Sequence, residues 1–408
     1  DENGNRITMI DPNGNVTHYT YDPLNRLTTM TEPLGHVTSL VYNAVGNRIQ
    51  KTDPKGQVIH YAYDPLNRMV NIGYPDSGTV EFTYDANGRQ VQMQDSLGTT
   101  QHTFDAEGRC VSTTDPFGKT VQYTYDAVGN RLGLTYPGGN TVSYGYDAVD
   151  RLSTVSDWLT NTTSYQYDAA GRLTITTNPN GTTARYFYDN ADRLTGLENR
   201  KSDLSVISSY SFTLDPAGNH SAEERNEPLS QVLTFGQKAN QYDAENRLNE
   251  TDGVGNSFDA NGNMTGKGVS SFSYDFENRL AQTNLGGTTT QYRYDGVGNR
   301  YSRSKDGSTT RFVLDTNTEL TNVLAETDSN GNIQAYNVYG HGLISRIKPD
   351  NSSSFYHYDS RGSAVATTDA TEALTQSYVY DPFGRVIAGT NENPFRYLAK
   401  HGVLDEGD

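Results

Sequence analysis

Histidine is the side chain best suited to acid–base and metal chemistry near neutral pH. This 408-residue chain has eight, His18, His36, His60, His102, His220, His341, His357 and His401. Their spacing forms no His-Glu-x-x-His zinc motif. The chain also has no Gly-x-Ser-x-Gly elbow and no phosphate-cradling Walker loop. His18, His36, His60 and His102 each fall between a glycine turn and the next tyrosine. They are expected as polar strand positions along one wall. Calcium is a second chemistry to weigh, because DENGN, DPNGN, DANGN and DSNGN begin at Asp1, Asp11, Asp259 and Asp328. An EF-hand loop needs glycine at its sixth position and a bidentate glutamate at its twelfth. Here glycine is fourth, and the twelfth residue counted from Asp259 is Ser270. Turn chemistry accounts for the same residues without an ion.

Arginine recurs at Arg26, Arg48, Arg68, Arg89, Arg109, Arg131, Arg151, Arg172 and Arg193, at intervals of 20–22 residues. Such a series suits a ladder of pairs with the turn aspartates of its own or the next unit. Each exposed pair contributes about 0–1 kcal/mol, so the ladder fixes register more than it stabilises. A glycan- or phosphate-binding stripe is the sharper reading of the same residues. The one cysteine, Cys110, excludes an internal disulfide framework and is expected as a small buried hydrophobe. The expectation is therefore no catalytic residue, no cofactor and no metal site.

The elements that hold these residues follow from a repeat. The hexapeptide YDPLNR occupies Tyr21–Arg26 and returns at Tyr63–Arg68, with a looser copy at Tyr42–Arg48 between them. The period is 21 residues, carried on by Tyr84-Asp85, Phe104-Asp105, Tyr125-Asp126, Tyr146-Asp147, Tyr167-Asp168 and Tyr188-Asp189. After residue 189 the spacing loosens, but the motif persists as far as Tyr380-Asp381. A second turn signal, as in Thr52-Asp53-Pro54-Lys55-Gly56, falls fourteen residues after the tyrosine. In both turns Asp or Asn accepts bonds from the turn backbone, and Pro presets φ. Gly or Asn then tolerates the left-handed conformation that closes a short hairpin loop, often with a bulge. Between turns, Val121, Tyr123 and Tyr125 alternate with Gln122 and Thr124, as in half-buried strands. Each unit is thus a β-hairpin.

About 35 strands follow at one per ten residues, more than an open twisted sheet carries without curling. Mean hydropathy is −0.72 and 29 residues are tyrosine, which suits a curled wall better than a solid sandwich. A β-propeller, with 42-residue blades, is the rival.

Tyr-Asp-x-x-Gly-Arg followed by Thr-Asp-Pro-x-Gly resembles the YD repeat of the Rhs family. That family includes Rhs and WapA-like polymorphic toxins, the B and C subunits of Tc toxins, and teneurins. Tyr358–Ser363, Tyr378–Arg385 and Asn393–Tyr397 resemble the opening of an Rhs-associated core. The resemblance implies an all-β fold, a YD-repeat array of antiparallel β-hairpins coiled into a hollow shell or β-solenoid-like barrel. It divides the chain into a shell over 1–340 and the start of the core over 341–408. It implies a structural role in a secreted or cell-surface protein that encapsulates or carries its own C-terminal effector. The alternative is an adhesion or carbohydrate-binding scaffold that meets glycans or a surface receptor. In the family, the core goes on to a self-cleavage site. The sequence stops at Asp408 before such a segment, and starts mid-motif, so it reads as part of a longer array. The fragment is expected to show no hydrolytic activity.

Net charge of −17 argues against nucleic acid as a partner. No 18-residue apolar run suggests a membrane span. No linker composition interrupts the chain, which reads as one continuous domain with a subdivision near 320–340. The stretch 226–240 lacks the motif and is expected as an inserted loop.

Overall fold

The structure, a computed structural model, describes residues 1–229, 238–390 and 393–404. Most of the expected insertion, residues 230–237, lies outside the described residues. The described chain is all β: 37 strands and one short 3-10 turn, Ala399–His401. Most strands are five to seven residues long, as the spacing of the turns dictates.

One YD hairpin shows why. The Asp85 amide donates to the Arg89 carbonyl at 2.9 Å, and Gly88 donates to the Asp85 carbonyl at 3.0 Å. The Asp85 carboxylate accepts from the amides of Asn87 and Arg89, both at 2.9 Å. Gly88 has φ 85°, and Asn67 takes the equivalent place at φ 62°. The register slips by one residue just before the tyrosine, between Thr83 and Tyr84. The same bulge recurs before Tyr63, Tyr125, Tyr146, Tyr167 and Tyr188. The DPxG hairpins are regular, as where Thr113 pairs with Val121. An extra residue increases local twist. It recurs on the YD turns through residue 188, and later it also appears beside alternate turns, as between Asn199 and Arg200 and between Thr367 and Thr368.

The chain forms two compact units, Asp1–His102 with Phe235–Thr310, and Thr103–Thr234 with Arg311–Asp408. Each is built from sequence-distant halves, because later strands return beside earlier ones. This differs from the single continuous domain expected above, since sequence continuity does not reveal which strands the chain comes back to. In the first unit, strands from Thr8–Ile10 to Gly98–Phe104 pair consecutively and antiparallel. A second ladder runs from Asn240–Tyr242 to Arg300–Lys305. In the second unit the ladders run from Cys110–Thr114 to His220–Asn226 and from Ser308–Asp315 to Val386–Gly389. Pairing along a whole ladder rules out separate four-stranded blades. The first and last strands of a ladder do not pair with each other, so the sheets stay open.

Alternation sets the core. Val121 and Tyr123 are buried while Gln122 and Thr124 are exposed. In the first unit Ile59, Tyr61, Ile72, Val80, Phe82 and Met93 form one cluster, with Phe276 of the returning ladder packed against it. In the second unit, Ala364–Thr368 is buried on both faces. The segment around Phe395 docks beside it: the Ala364 amide donates to the Arg396 carbonyl at 2.8 Å.

Candidate functional site

The repeat places Tyr, Asp and Arg in a closed circuit. Arg68 Nε donates to Asp64 Oδ2 at 2.7 Å, and Nη1 reaches the carbonyl of Asp85 in the next YD turn at 3.4 Å. Its guanidinium lies 4.7 Å from the centre of the Tyr84 ring. The Tyr84 hydroxyl donates back to the Met69 carbonyl at 2.7 Å. Arg172, Asp168, Asp189, Tyr188 and Leu173 repeat the circuit in the second unit. The hydroxyls of Tyr63, Tyr125, Tyr146 and Tyr167 all donate to the carbonyl fifteen residues back. Backbone hydrogen bonds from Arg68 hold the Asp64 carboxyl below its ordinary range, and the Arg68 guanidinium adds to this. For Asp168 the Arg172 side chain is the main cause. The arginines are thus committed to register, and the circuit leaves them little to offer a phosphate stripe.

Two arginines depart from this pattern. In YNAVGNR and YDAVGNR the turn closes at Asn47 and Asn130, so Arg48 and Arg131 come one residue late. A one-residue shift moves a side chain to the other face of a strand. Arg48 accordingly lies over Tyr61, and Arg131 over Tyr123, each 4.7 Å from the ring centre. Arg131 Nη1 then pairs with Asp315 Oδ2 at 2.6 Å, and the Tyr123 hydroxyl donates to Asp315 Oδ1 at 2.8 Å. Asp315 is 1% exposed. The expected equivalence of all nine arginines is corrected to seven.

A circuit repeated many times can spare one bond. Tyr84→Phe should cost about 0.5–1.5 kcal/mol, the net worth of a hydrogen bond. Chemical denaturation of Tyr84→Phe beside Tyr188→Phe checks this, with similar small losses expected at both sites.

Cys110 is half-buried; its thiol contacts the Ser112 carbonyl and the Thr113 hydroxyl, and burial pushes its pKa up. It is a poor nucleophile in that state. His18 and His60 face solvent from matching strand positions, and His36 sits in a turn. His357 is buried, with Nε2 2.9 Å from the Thr368 hydroxyl, and burial lowers its pKa to about 3. Trp158 packs edge-on against Tyr136 and Tyr336, with ring centres 5.4 and 4.9 Å away. A cavity of about 340 Å³ in the second unit is lined by Tyr210, Glu223, Arg225, Glu227, Asp359, Arg361, Tyr380 and Tyr397, among others. The Tyr210 hydroxyl donates to Glu227 at 2.9 Å, and burial raises the carboxyls of Glu227 and Asp359. Among the described residues, three ligand-type side chains converge at one point: Glu32, His36 and Glu245, in the first unit. Sequence reasoning missed that group, because Glu245 lies 209 residues from His36. No helix among the described residues is long and apolar enough to cross a membrane.

Open ladders of bulged YD hairpins, tied by Tyr–Asp–Arg circuits, define a structural repeat protein. The chain belongs to the Rhs/YD-repeat family. The RHS Repeat family model matches residues 1–37, 42–79, 104–141 and 146–183, and the Teneurin YD-shell model matches 230–399. The tRNA nuclease WapA of Bacillus subtilis is 29% identical over 168 residues, 40% of this chain and 7% of that protein. Teneurin-3 of Danio rerio is 26% identical over 170 residues, 40% of this chain and 6% of that protein. The crystal structure of TcdB2-TccC3 aligns over 100% of this chain and 29% of its own at 15% identity, with a TM-score of 0.73. The Tc holotoxin pore of Photorhabdus luminescens aligns over 95% of this chain and 27% of its own at 15% identity, with a TM-score of 0.67. The chain therefore matches a small part of each of these proteins, and the likeness to the solved structures is one of fold.

Proposed function

We propose that this chain is a wall segment of a YD-repeat shell that encloses or carries a C-terminal effector. The parent is a secreted or cell-surface Rhs-type protein, and the segment itself catalyses nothing. The observation that carries this reading is the match of the whole chain to the TcdB2-TccC3 fold. The likeness to WapA, named as a tRNA nuclease, fits a parent with a nuclease-type effector elsewhere in its chain. Committing the motif arginines and tyrosines to bonds within and between repeats suits a container rather than an enzyme. The division at 340, with 341–408 opening an Rhs-associated core, belongs to the same proposal.

A second reading, a carbohydrate-binding or receptor-binding scaffold, rests on the tyrosine- and carboxylate-lined cavity. One experiment separates the two. The chain is expressed with the native downstream residues of its gene, and the tail is challenged with protease. The container reading expects a tail that stays bound and resists digestion, while the 408-residue chain alone keeps its intact mass. A tail digested as fast as free peptide, with glycan capture that Tyr210→Ala abolishes, would replace the first reading with the second.

A further inference from the structure

The repeat serves as its own control for what a turn needs. In the DPxG turns the leading aspartate caps its own loop. Asp53 Oδ1 accepts from the Gln57 amide at 2.8 Å, and Asp11 Oδ1 accepts from Asn13 and Asn15, both at 2.9 Å. At three such turns of the first unit the second oxygen then meets a donor on a YD turn of the returning ladder, whereas the second oxygen of Asp115, in the second unit, is buried without one. Asn261 donates to Asp53 at 2.6 Å, Asn246 to Asp11 at 2.8 Å, and the Gly296 amide to Asp95 at 2.8 Å. Every one of these junctions pairs an acceptor with a donor.

One junction departs from the rule at two positions of its turn, and the YD turn that faces it brings a glutamate. Glu32 stands where the capping aspartate belongs. The backbone turn still forms, with the Glu32 amide 2.9 Å from the His36 carbonyl. The longer side chain makes no capping bond and reaches outward instead. His36 stands where Asn15 and Gln57 stand in the neighbouring turns. Glu245 stands at the turn position that Leu24 and Leu66 hold in the first ladder. All three ligand atoms lie within 4.8 Å of one another. His36 Nδ1 is 2.7 Å from Glu245 Oε1, while Arg247 holds the other Glu245 oxygen at 3.0 Å. The side chain of Glu245 is 7% exposed and that of His36 is 23% exposed. Two carboxylates thus face each other in a half-buried place, with a single imidazole between the ladders. Burial, and then the Glu245 charge, push the Glu32 carboxyl up.

We propose that Glu32, His36 and Glu245 form a divalent metal site of the zinc class that staples the two ladders of the first unit. Ligands of one tetrahedral zinc lie about 2.0–2.2 Å from the ion, hence roughly 3.2–3.5 Å from each other. The group reaches that spacing by closing gaps of at most 4.8 Å by up to about 1.5 Å and opening the 2.7 Å His36–Glu245 contact by about half an ångström. A mixed nitrogen and oxygen set suits zinc, while calcium takes oxygen alone. Three protein ligands leave the fourth position to water. Arg247 orients Glu245 without occupying the oxygen that faces His36. The ion would tie together turns 209 residues apart in sequence.

The test uses the tag-free 408-residue chain, titrated with Zn²⁺ and, separately, with Ca²⁺. Calorimetry should show one Zn²⁺ bound per chain. At a hundredfold excess over Kd, the thermal transition of the first unit should rise by about 5 °C. Ca²⁺ should do neither. His36→Gln and Glu32→Gln should each weaken Zn²⁺ binding at least roughly tenfold, as losses around metal sites do. Glu32→Gln removes one of two facing charges, so its metal-free stability should match or exceed wild type. Loss of binding there therefore reports a ligand and not misfolding. His60→Gln should bind as wild type does. Absence of Zn²⁺ binding by the wild-type chain, unchanged affinity in either Gln variant, or an equal response to Ca²⁺ overturns the proposal.

Discussion

Asp315→Ala should destabilise the second unit by about 3–5 kcal/mol. Asp315 is 1% exposed and is the anion for Arg131, whose side chain is 17% exposed. It also accepts the Tyr123 hydroxyl at 2.8 Å. Removing the carboxylate leaves a largely buried guanidinium without its counter-charge and a buried hydroxyl without its acceptor. Both costs are large where water cannot compensate. The thermal midpoint should fall by about 10 °C, at roughly 2–4 °C per kcal/mol for a unit of this size. The double variant Arg131→Met with Asp315→Leu should recover the part of the loss that comes from the uncompensated guanidinium, while the Tyr123 hydroxyl stays without its acceptor. Calorimetry of the two variants beside Asp64→Ala, at a half-buried repeat pair that keeps contact with water, checks the prediction. A loss under about 1 kcal/mol for Asp315→Ala would mean that water reaches the pair.

The second large effect depends on pH. Buried His357 is neutral in the fold, with its pKa lowered from 6.5 to about 3. An unfolded chain binds a proton at this residue near pH 6.5, whereas the folded chain refuses it until about pH 3. The stability it contributes is therefore complete above pH 6.5 and is lost as pH falls towards 3. The loss should reach about 2 kcal/mol by pH 5 and roughly 4–5 kcal/mol near pH 3. Asp115 acts in the opposite sense. Burial raises its carboxyl to about 6, so it gives up stability as pH rises from 3.8 to 6. The diagnostic quantity is therefore a difference between proteins. Denaturant midpoints of His357→Gln, measured from pH 7 to pH 4, should fall less steeply than those of wild type by up to one proton. Parallel curves would show that His357 titrates normally.

Much of this fold was legible in the residues. Turn chemistry is local: an aspartate, a proline and a left-handed glycine fix a hairpin without knowledge of anything distant. The 21-residue period therefore gave strand lengths, consecutive antiparallel pairing and equivalent places for Tyr63, Tyr84, Tyr125, Tyr146, Tyr167 and Tyr188. That the hairpins carry bulges was legible for the same reason, but their place just before the tyrosine was not. The arginine circuits were half legible. The partner in the same turn follows from spacing, while the ring of the next tyrosine requires the strands to be paired.

What the sequence by itself determined, then, is everything governed by neighbours along the chain. The tertiary structure alone decided which turns meet across the returning ladders. Arg48 and Arg131 look like their fellow arginines until a single added residue sends them to the opposite face, where Arg131 finds Asp315 184 residues away. Glu32, His36 and Glu245 look like drift from the repeat until the ladders bring them within 4.8 Å. The physical reason is that a repeat specifies its own contacts many times over. The offset at which a later ladder meets an earlier one within a unit is set by the summed twist of many hairpins, and no single motif carries that sum.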